Sequence, residues 1–449
     1  MYTYQDLLKV GDDETKRMEF VLSVIHSHKR SDEYTTAKIA QDYAEHRNTT
    51  INNYKKLLYT ISGQAVPDNW SANYKIPASF FNRFITQQTQ FLLGNGVTWE
   101  NNATGDTLGN DFDGKLQEAG KKALIGGVSF GFMNYDHLEV FALTEFAPMY
   151  DEENGALMAG VRFWQIDSTK PMRATLYEVD GLTEYIWVEG DGTILKQKSP
   201  YMTTAVYTEA DGVTIYDGKN YPSFPIVPFW ANSYKQSEIV GIREQIDAYD
   251  LIKSGFANDL DDVSQIFWTV SNAGGMDDVD LAQFVQRMKT VKAANLDDGQ
   301  TAESHTVDIP YAAREALLDR LRKDMYRDYM ALDTDEIANG AVTATQIKAA
   351  YEPMNSKADE FEFCVIDFIQ GLLAVLGIED NPTFTRSYIV NQSEEIQNLV
   401  TAGEYLSSEY ITERILTILG DTDKVEEVIS NMSQDEIDRG FTQGEEVNE

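Results

Sequence analysis

The sequence predicts an α+β fold, mainly helical, and three observations carry that expectation. Apolar residues recur at spacings of three and four over long stretches of the second half, the pattern of one helix face against a core. The middle is rich in aromatic and β-branched residues and carries Asp-Gly pairs at 180–181, 191–192, 211–212 and 217–218; such pairs supply the positive φ angles of tight hairpins. At 449 residues the chain is long enough for roughly two to four domains.

Residues 14–60 are polar and helix-prone around the anchors Met18, Val21, Leu22 and Ile25, and a second helical stretch runs from Phe80 to Leu93 before Gly94-Asn95-Gly96. A helix near Gly114 to Ile125 precedes the β-rich middle, which reads as an antiparallel sheet. The sheet ends at the run 221–230, where Pro222, Pro225 and Pro228 forbid helix and disfavour a central strand. Beyond this boundary Ile239, Ile242, Ile246, Tyr249, Ile252, Phe256, Leu260 and Val263 lie on one face of a long helix. A small α/β insert follows, with a strand at Ile266 to Val270, a Gly274-Gly275 turn, a helix from Val279 to Met288 and a polar loop to Pro310.

A second long helix, Tyr311 to Leu332, carries Leu317, Leu318, Leu321, Met325 and Tyr329 on its expected buried side. After the loop from Asp333 to Val342, the positions Ile347, Tyr351, Met354, Ala358, Phe361, Val365, Phe368, Leu372 and Val375 alternate spacings of four and three. At about 1.5 Å per residue this helix is roughly 50 Å long. Pro353 lacks an N–H inside it and predicts a kink near Ala350 to Glu352. The seam suits packing along a larger body better than a two-stranded zipper, because it carries aromatics. Asn381-Pro382 stops the helix, Thr383 to Val390 reads as a strand, Ser393 to Asn431 as short helices, and the last residues as an acidic, frayed tail.

Basic residues number 37 and acidic residues 73, for a formal charge of −36. That excludes a simple DNA-coating protein: nucleic acid must be held by a local basic stripe or allowed to pass without grip. Cys364 is the only cysteine, so no intrachain disulfide forms; it reads as a small core residue of a protein assembled in a reducing cytoplasm. The first residues lack a basic segment followed by an apolar one, and the longest nearly apolar stretch, Leu124 to Met133, is too short to span a bilayer. No export by this route and no membrane are expected.

The residues that could carry chemistry do not converge. Gly114 to Lys122 approximates a phosphate loop but has one residue too many between its glycines and no Ser or Thr after the lysine. His26 and His28 diverge on a helix and read as surface residues. Asp259, Asp261 and Asp262 read as a solvated helix end, and Asp277, Asp278 and Asp280 lack the glycine and glutamate of a calcium loop. No catalytic residue, metal site or cofactor is expected. One basic stripe stands out: Arg320, Lys323 and Arg327, three and four residues apart and flanked by Arg314 and Arg322. It is either a phosphate-sliding surface or a solvent face paired with Asp319, Asp324 and Asp328.

Local sequence then resembles a family. Asn73-Tyr74-Lys75-Ile76-Pro77, followed by Phe91-Leu92-Leu93-Gly94-Asn95-Gly96-Val97, looks like the opening segment of phage portal proteins of the siphophage type. Phe224-Pro225-Ile226-Val227-Pro228-Phe229, then Ser237-Glu238-Ile239 and Gln245-Ile246-Asp247-Ala248-Tyr249-Asp250, resembles that family's proline, strand and helix passage. Thr343-Ala344-Thr345-Gln346-Ile347-Lys348 resembles the start of its long wing helix. The resemblance implies a portal fold with wing, stem helix pair, α/β clip, long kinked helix and helical crown. Its boundaries would be wing 1–235, stem helices 236–260 and 311–331, clip 261–310, tunnel loop 332–342, wing helix and strand 343–390, crown 391–434 and acidic tail 435–449.

The same resemblance implies a homo-oligomeric, dodecameric ring at one capsid vertex of the virion. Double-stranded DNA would pass through its channel during packaging and ejection. The implied partners are the terminase large subunit, a head-tail connector or adaptor protein, and the major capsid and scaffolding proteins. The resemblance also places Asp333, Thr334, Asp335, Glu336, Asn339 and Gly340 in a tunnel loop facing DNA. Portals are not themselves catalytic, since ATP hydrolysis belongs to the terminase. The competing expectations are another head or connector structural protein, a metal-dependent nuclease built on the aspartates, and a host scaffold zipped by the heptad helix.

Overall fold

The first helices form where capping residues start them. Thr3 and Asp6 make a reciprocal capping box for α1 (Tyr4–Val10), the Asp13 carboxylate accepts from Lys16 N at the head of α2 (Glu14–His28), and the Ser31 hydroxyl accepts from Tyr34 N at the head of α3 (Asp32–Ala44). A short α4 (Thr49–Asn53) follows, then α5 (Phe80–Leu93), α6 (Asn102–Leu108) and α7 (Phe112–Gly126). The computed structural model describes residues 2–59, 63–68, 72–188, 191–208, 214–262, 267–271, 301–305, 310–335, 344–387, 392–402, 405–419, 424–425 and 428–430. About half of the chain is helical and about a quarter strand, so the fold is α+β and mainly helical.

The described residues fall into two units. The larger, Met1–Ala341 with Ala349–Arg386, holds all of the described strands. A meander of β6 (Phe146–Tyr150), β7 (Leu157–Trp164), β8 (Met172–Glu178), β9 (Gly181–Val188) and β10 (Asp191–Ser199) forms one antiparallel sheet. α2 lays Val21, Val24 and Ile25 against Val161, Leu176 and Tyr185 of this sheet. A second sheet has the order β13 (Ile226–Trp230), β4 (Val128–Asn134), β5 (His137–Ala142).

The main core lies between α5, α7, the second sheet and α10 (Ala344–Leu376). From Tyr351 to Val375 every seam position expected to be buried is buried, and the helix runs through Pro353 as one element. Phe229 of β13 stacks on Phe361 and Phe368 of α10, with ring centroids 5.7 and 4.7 Å apart. α10 can approach the sheet this closely because residue 131 is glycine; a Cβ there would overlap the Phe368 ring. α7 ends at Gly127 in a left-handed cap, with φ of 85°.

Several expectations need correction. Of the Asp-Gly pairs, only Asp180-Gly181 sits at a hairpin turn; Asp191-Gly192 and Asp217-Gly218 lie within strands, and 211–212 lies outside the described residues. Gly218 lies opposite a register shift in the pair β11 (Met202–Thr208) and β12 (Thr214–Lys219), so a sheet irregularity, not a turn, uses it. The proline run continues into strand β13, which tolerates Pro228 because it is an edge strand. The stretch 14–60, expected to be helix-prone, ends in a strand: β1 (Leu57–Tyr59) forms a hairpin with β2 (Ala65–Pro67).

The helix expected from 236 begins later, as α8 (Arg243–Asp262). Ile239 and Ile242 are buried from the turns before it, where Gly241 takes a φ of 88° that breaks the helix. β14 (Phe267–Ser271) pairs with β15 (Thr301–His305), a strand where a polar loop was expected; the Gly274-Gly275 turn, the 279–288 helix and Val263 lie outside the described residues. The second long helix is α9 (Tyr311–Tyr329). The strand expected over 383–390 is β16 (Pro382–Phe384), paired with β3 (Val97–Trp99), and ends there. Residues 388–391 and the tail from 431 lie outside the described residues.

The smaller unit, Val342–Lys348 with Ser387–Glu449, contains α11 (Gln392–Thr401) and α12 (Ser408–Leu419). A shallow groove between these helices is lined by Leu399, Leu406, Tyr410 and Ile418.

Candidate functional site

The feature most suited to function is the pair α8 and α9. Gln245 Nε2 at the start of α8 donates to Asp328 Oδ2 near the end of α9 (2.8 Å), while Arg314 at the start of α9 pairs with Asp259 near the end of α8. Phe256 meets Tyr311 edge-on, with ring centroids 5.6 Å apart. These contacts fix the two helices antiparallel, and β14 and β15 continue the chain between their far ends. At about 1.5 Å per residue each helix is roughly 30 Å long.

One end of the pair is locked into the main core. Met325, Tyr326 and Tyr329 are buried, and Tyr329 stacks on Phe84 with centroids 4.6 Å apart. The Tyr329 hydroxyl donates to Gln88 Oε1 (2.8 Å), Arg83 donates to the Tyr326 hydroxyl (2.8 Å), and Lys357 places its ammonium 3.6 Å from the Tyr329 ring centroid. At the other end the expected buried side of α9 opens: Leu317 is 45 % exposed, and Leu318 and Leu321 are half-buried. Leu260, near the same end of α8, is 50 % exposed.

An extended segment is zipped along α8. Ala78 N donates to Asp250 Oδ1 (2.8 Å), Ile76 N to the Ser254 hydroxyl (3.0 Å) and Tyr74 N to Asn258 Oδ1 (2.6 Å). Four residues of helix rise about 6 Å and two residues of extended chain about 6.6 Å, so every second N–H meets every fourth side chain. Asp250 is fully buried and also accepts from Asn48 Nδ2 (2.8 Å). Burial raises its carboxyl to about 6, against the pull of these donors. The Tyr43 hydroxyl donates to Asp247 and lies 3.0 Å from Asn48 Oδ1, and burial together with the Asp247 bond pushes it up to about 12.

The basic stripe is exposed and locally paired. Arg320 lies 3.7 Å from Asp324, Lys323 lies 3.4 Å from Asp319, and Arg327 lies 2.9 Å from Asp324 and 3.4 Å from Asp328. Arg322 reaches Asp333 (2.6 Å), Asp335 (3.3 Å) and Asp319 (3.6 Å); its burial works against charge, but the three carboxylates together, Asp333 foremost, raise the guanidinium. Of the expected loop, Asp333, Thr334 and Asp335 are thus held at its start, and Thr334 and Asp335 are already helical. Gln87 reinforces this start by bonding both the N–H and the carbonyl of Leu332 (3.2 and 3.0 Å). Glu336, Asn339 and Gly340 lie outside the described residues.

The remaining sequence candidates are structural. His28 is not a surface residue: it is buried, its Nε2 lies 2.8 Å from Leu143 O, and burial lowers its pKa. Gly114 to Lys122 lies within α7, where Lys115 and Lys122 bond Glu118. Cys364 is half-buried, and burial pushes its thiol up to about 11. Among the described residues no three His, Cys, Asp or Glu side chains gather as metal ligands, and no helix is long and apolar enough to cross a membrane. The zipping of 74–78 along α8, Tyr326 and Asn48 escaped the sequence reading, which had singled out Asn73 to Pro77 only for its family resemblance. The signal for the first was a line of small polar residues, Asp250, Ser254 and Asn258, four apart on a helix otherwise read by its apolar face.

Comparison with known proteins places this architecture. The model of the family described as phage portal protein, SPP1 Gp6-like, matches residues 25–445. The chain belongs to the phage portal protein family. It is 23% identical over 448 residues to the portal protein of Bacillus phage SPP1, covering 88% of this chain and 85% of that relative. It is 31% identical over 185 residues to the portal protein of Clostridium phage phiCD119, a match spanning 39% of this chain and 41% of the relative. Solved structures of a native gene transfer agent virion and of the neck of a native gene transfer agent particle align at 12% identity. Each alignment covers 75% of this chain and 89% of the other, with TM-scores of 0.42 and 0.40. By family the protein is a structural component of a phage particle.

Proposed function

We propose that this portal-family chain is the repeating subunit of a dodecameric ring at one capsid vertex, whose channel passes double-stranded DNA during packaging and ejection. The observation that carries this reading is the antiparallel pair α8 and α9, rooted in the core at one end and bearing half-exposed leucines at the other. A lone helix pair leaves those apolar residues in water, whereas a ring of such pairs packed side by side covers them. In this reading residues 1–235 and 343–390 form the wing, 236–260 and 311–331 the stem, 261–310 the clip, 332–342 the tunnel loop and 391–434 the crown, with 435–449 as an acidic tail.

The clip meets the terminase large subunit and later the head-tail connector or adaptor, and the wing meets the major capsid and scaffolding proteins. Assembly takes place in the host bacterial cytoplasm. The subunit performs no catalysis and needs no cofactor. A mostly acidic wall lets DNA slide, and Arg320, Lys323 and Arg327 supply local cationic rings that guide phosphates. The tunnel loop 332–342 faces the channel, its start held by Arg322 of α9 through Asp333 and Asp335, and a kink at Pro353 bends α10 to follow the ring wall.

Negative-stain electron microscopy with mass photometry on the same sample tests the reading. Rings with a central hole and a mass near twelve times 50.7 kDa are expected. A chain that stays monomeric or dimeric at every concentration overturns it.

A further inference from the structure

The turn between β7 and β8 is stiff, yet its apolar side chains are uncovered. Asp167 Oδ1 accepts from Thr169 N (2.8 Å), Lys170 N donates to Asp167 O (2.9 Å), and Gln165 Nε2 donates to Lys170 O (2.8 Å), so the turn is closed on itself. Ile166 within it is 88 % exposed, and Trp164, with the Arg162 guanidinium 5.2 Å from its ring centroid, is 38 % exposed. Trp164 lies opposite Arg173 of β8, and Arg173 opposite Ile186 of β9, so these three share the sheet face that α2 does not cover. Arg173 is exposed and makes no ion pair among the described residues.

The outer face of α10 carries aromatic side chains among carboxylates. Phe363 is 71 % exposed, although the seam on the other side of the helix is sealed. Glu360, one turn earlier, accepts from the Ser233 hydroxyl (2.6 Å) and from Ser233 N (3.3 Å), which sets the neighbouring Tyr234, 78 % exposed, beside this stretch of helix. Lys235 is turned onto the Trp230 ring, 4.5 Å from its centroid. Asp367, one turn after Phe363, is exposed and makes no ion pair among the described residues.

We propose that the β7–β8 tip of one copy docks on this face of α10 in the next copy, with Trp164 and Ile166 covering Phe363 and Tyr234 and with Arg173 meeting Asp367 and Glu360. The proposal rests on the ring reading and names one of its contacts. Head-to-tail rings need two different, complementary patches on each subunit. These two match in kind, apolar against aromatic, and in charge, a free guanidinium against free carboxylate oxygens. Copies with a formal charge of −36 repel one another, so a cation that no carboxylate of its own chain engages supplies local attraction where the average surface cannot. Tryptophan and arginine are also the side chains that dominate binding energy at protein interfaces. Nucleic acid is a poor occupant of the α10 face, because Glu360 and Asp367 repel phosphate.

The test compares the full-length wild type with the single variants Arg173→Asp, Asp367→Arg and Ile166→Asp, and with Arg173→Asp and Asp367→Arg combined. Mass photometry follows assembly, and thermal melting below the assembling concentration follows the protomer. Each single variant is expected to melt as the wild type does and to need protein concentrations higher by on the order of tenfold for half-assembly. The charge-swapped pair is expected to recover most of that loss, because it restores the attraction with its sign reversed. A wild type that never assembles overturns the ring reading, and this contact with it. Single variants that assemble like an assembling wild type overturn the contact alone. So does a swapped pair that assembles no better than its singles, which assigns the two surfaces to different occupants. A lowered melting temperature of the unassembled single variants places these side chains in the packing of their own protomer and likewise overturns the proposal.

Discussion

Along α10 the apolar seam is sealed from Tyr351 to Val375, whereas along the pair α8 and α9 the seam is sealed at one end and open at the other. Both regions are amphipathic helices of similar character, so the difference lies in what surrounds them. α10 has a sheet, two helices and the Phe229 stack on its apolar face. Toward Leu260 and Leu317 the helix pair is accompanied, among the described residues, only by the extended segment hydrogen-bonded along α8 from Ala78 to Tyr74. A closed seam stabilises a protomer; an open one stabilises it only when another molecule closes it.

The largest effect should come from the closed seam. Phe368→Ala removes a fully buried ring that touches Phe229 and fills the space left by Gly131, so urea unfolding should show a loss of about 3–5 kcal/mol. A loss below about 1 kcal/mol would mean that the seam collapses to refill the cavity and is looser than α10 suggests.

A smaller effect should mark the boundary between the two regions, where α8 leaves the core at Asp250. The unfolded chain takes up this proton near the ordinary value of 3.8, but the folded chain already does so near 6. Between those values the folded state holds more protons, so lowering the pH favours it, by at most about 3 kcal/mol. The ionised form is the penalised one at pH 7, and stability from this group rises as pH falls through 6. Asp250→Asn should remove that slope: the difference in stability between variant and wild type should shift across pH 7 to 4, and a flat difference would refute the assignment.

These regions also differ in how far the sequence disclosed them. The α10 seam was legible position by position because burial on one face depends only on helical period. α9 carried the same spacing at Leu317 and Leu321, yet these residues stay partly exposed, since spacing states which face is apolar but not what covers it. Phe80 to Leu93 was read with its observed ends because two apolar turns stop at a glycine. The β13 strand, the zipped segment and buried His28 depend on partners far away in the chain, such as Phe130, Asp250 and Leu143. No local pattern names such partners. The basic stripe was legible as a stripe, but its pairing with Asp319, Asp324 and Asp328 leaves its role to experiment.

On the open seam, Leu260→Ser with Leu317→Ser should change protomer stability by no more than about 1 kcal/mol, because both side chains are about half exposed. The same pair should weaken ring assembly, read as a higher concentration for half-assembly in mass photometry. A large loss of protomer stability with assembly unchanged would show that the pair is closed from within, and the contrast with α10 would vanish.

The smallest stability effect belongs to the outer face of the same pair. Neutralising Arg320, Lys323 and Arg327 to Gln breaks only exposed ion pairs, each worth roughly 0–1 kcal/mol, so unfolding should barely move. What should move, if these side chains meet phosphates, is salt dependence: the slope of log affinity for duplex DNA against log salt should fall by about 1 for each phosphate that is no longer neutralised. In a ring each residue recurs in every subunit, so even partial engagement by a few copies makes the change measurable. An unchanged slope would leave the stripe as a solvent face paired with its own aspartates, and the channel would then work by repulsion alone.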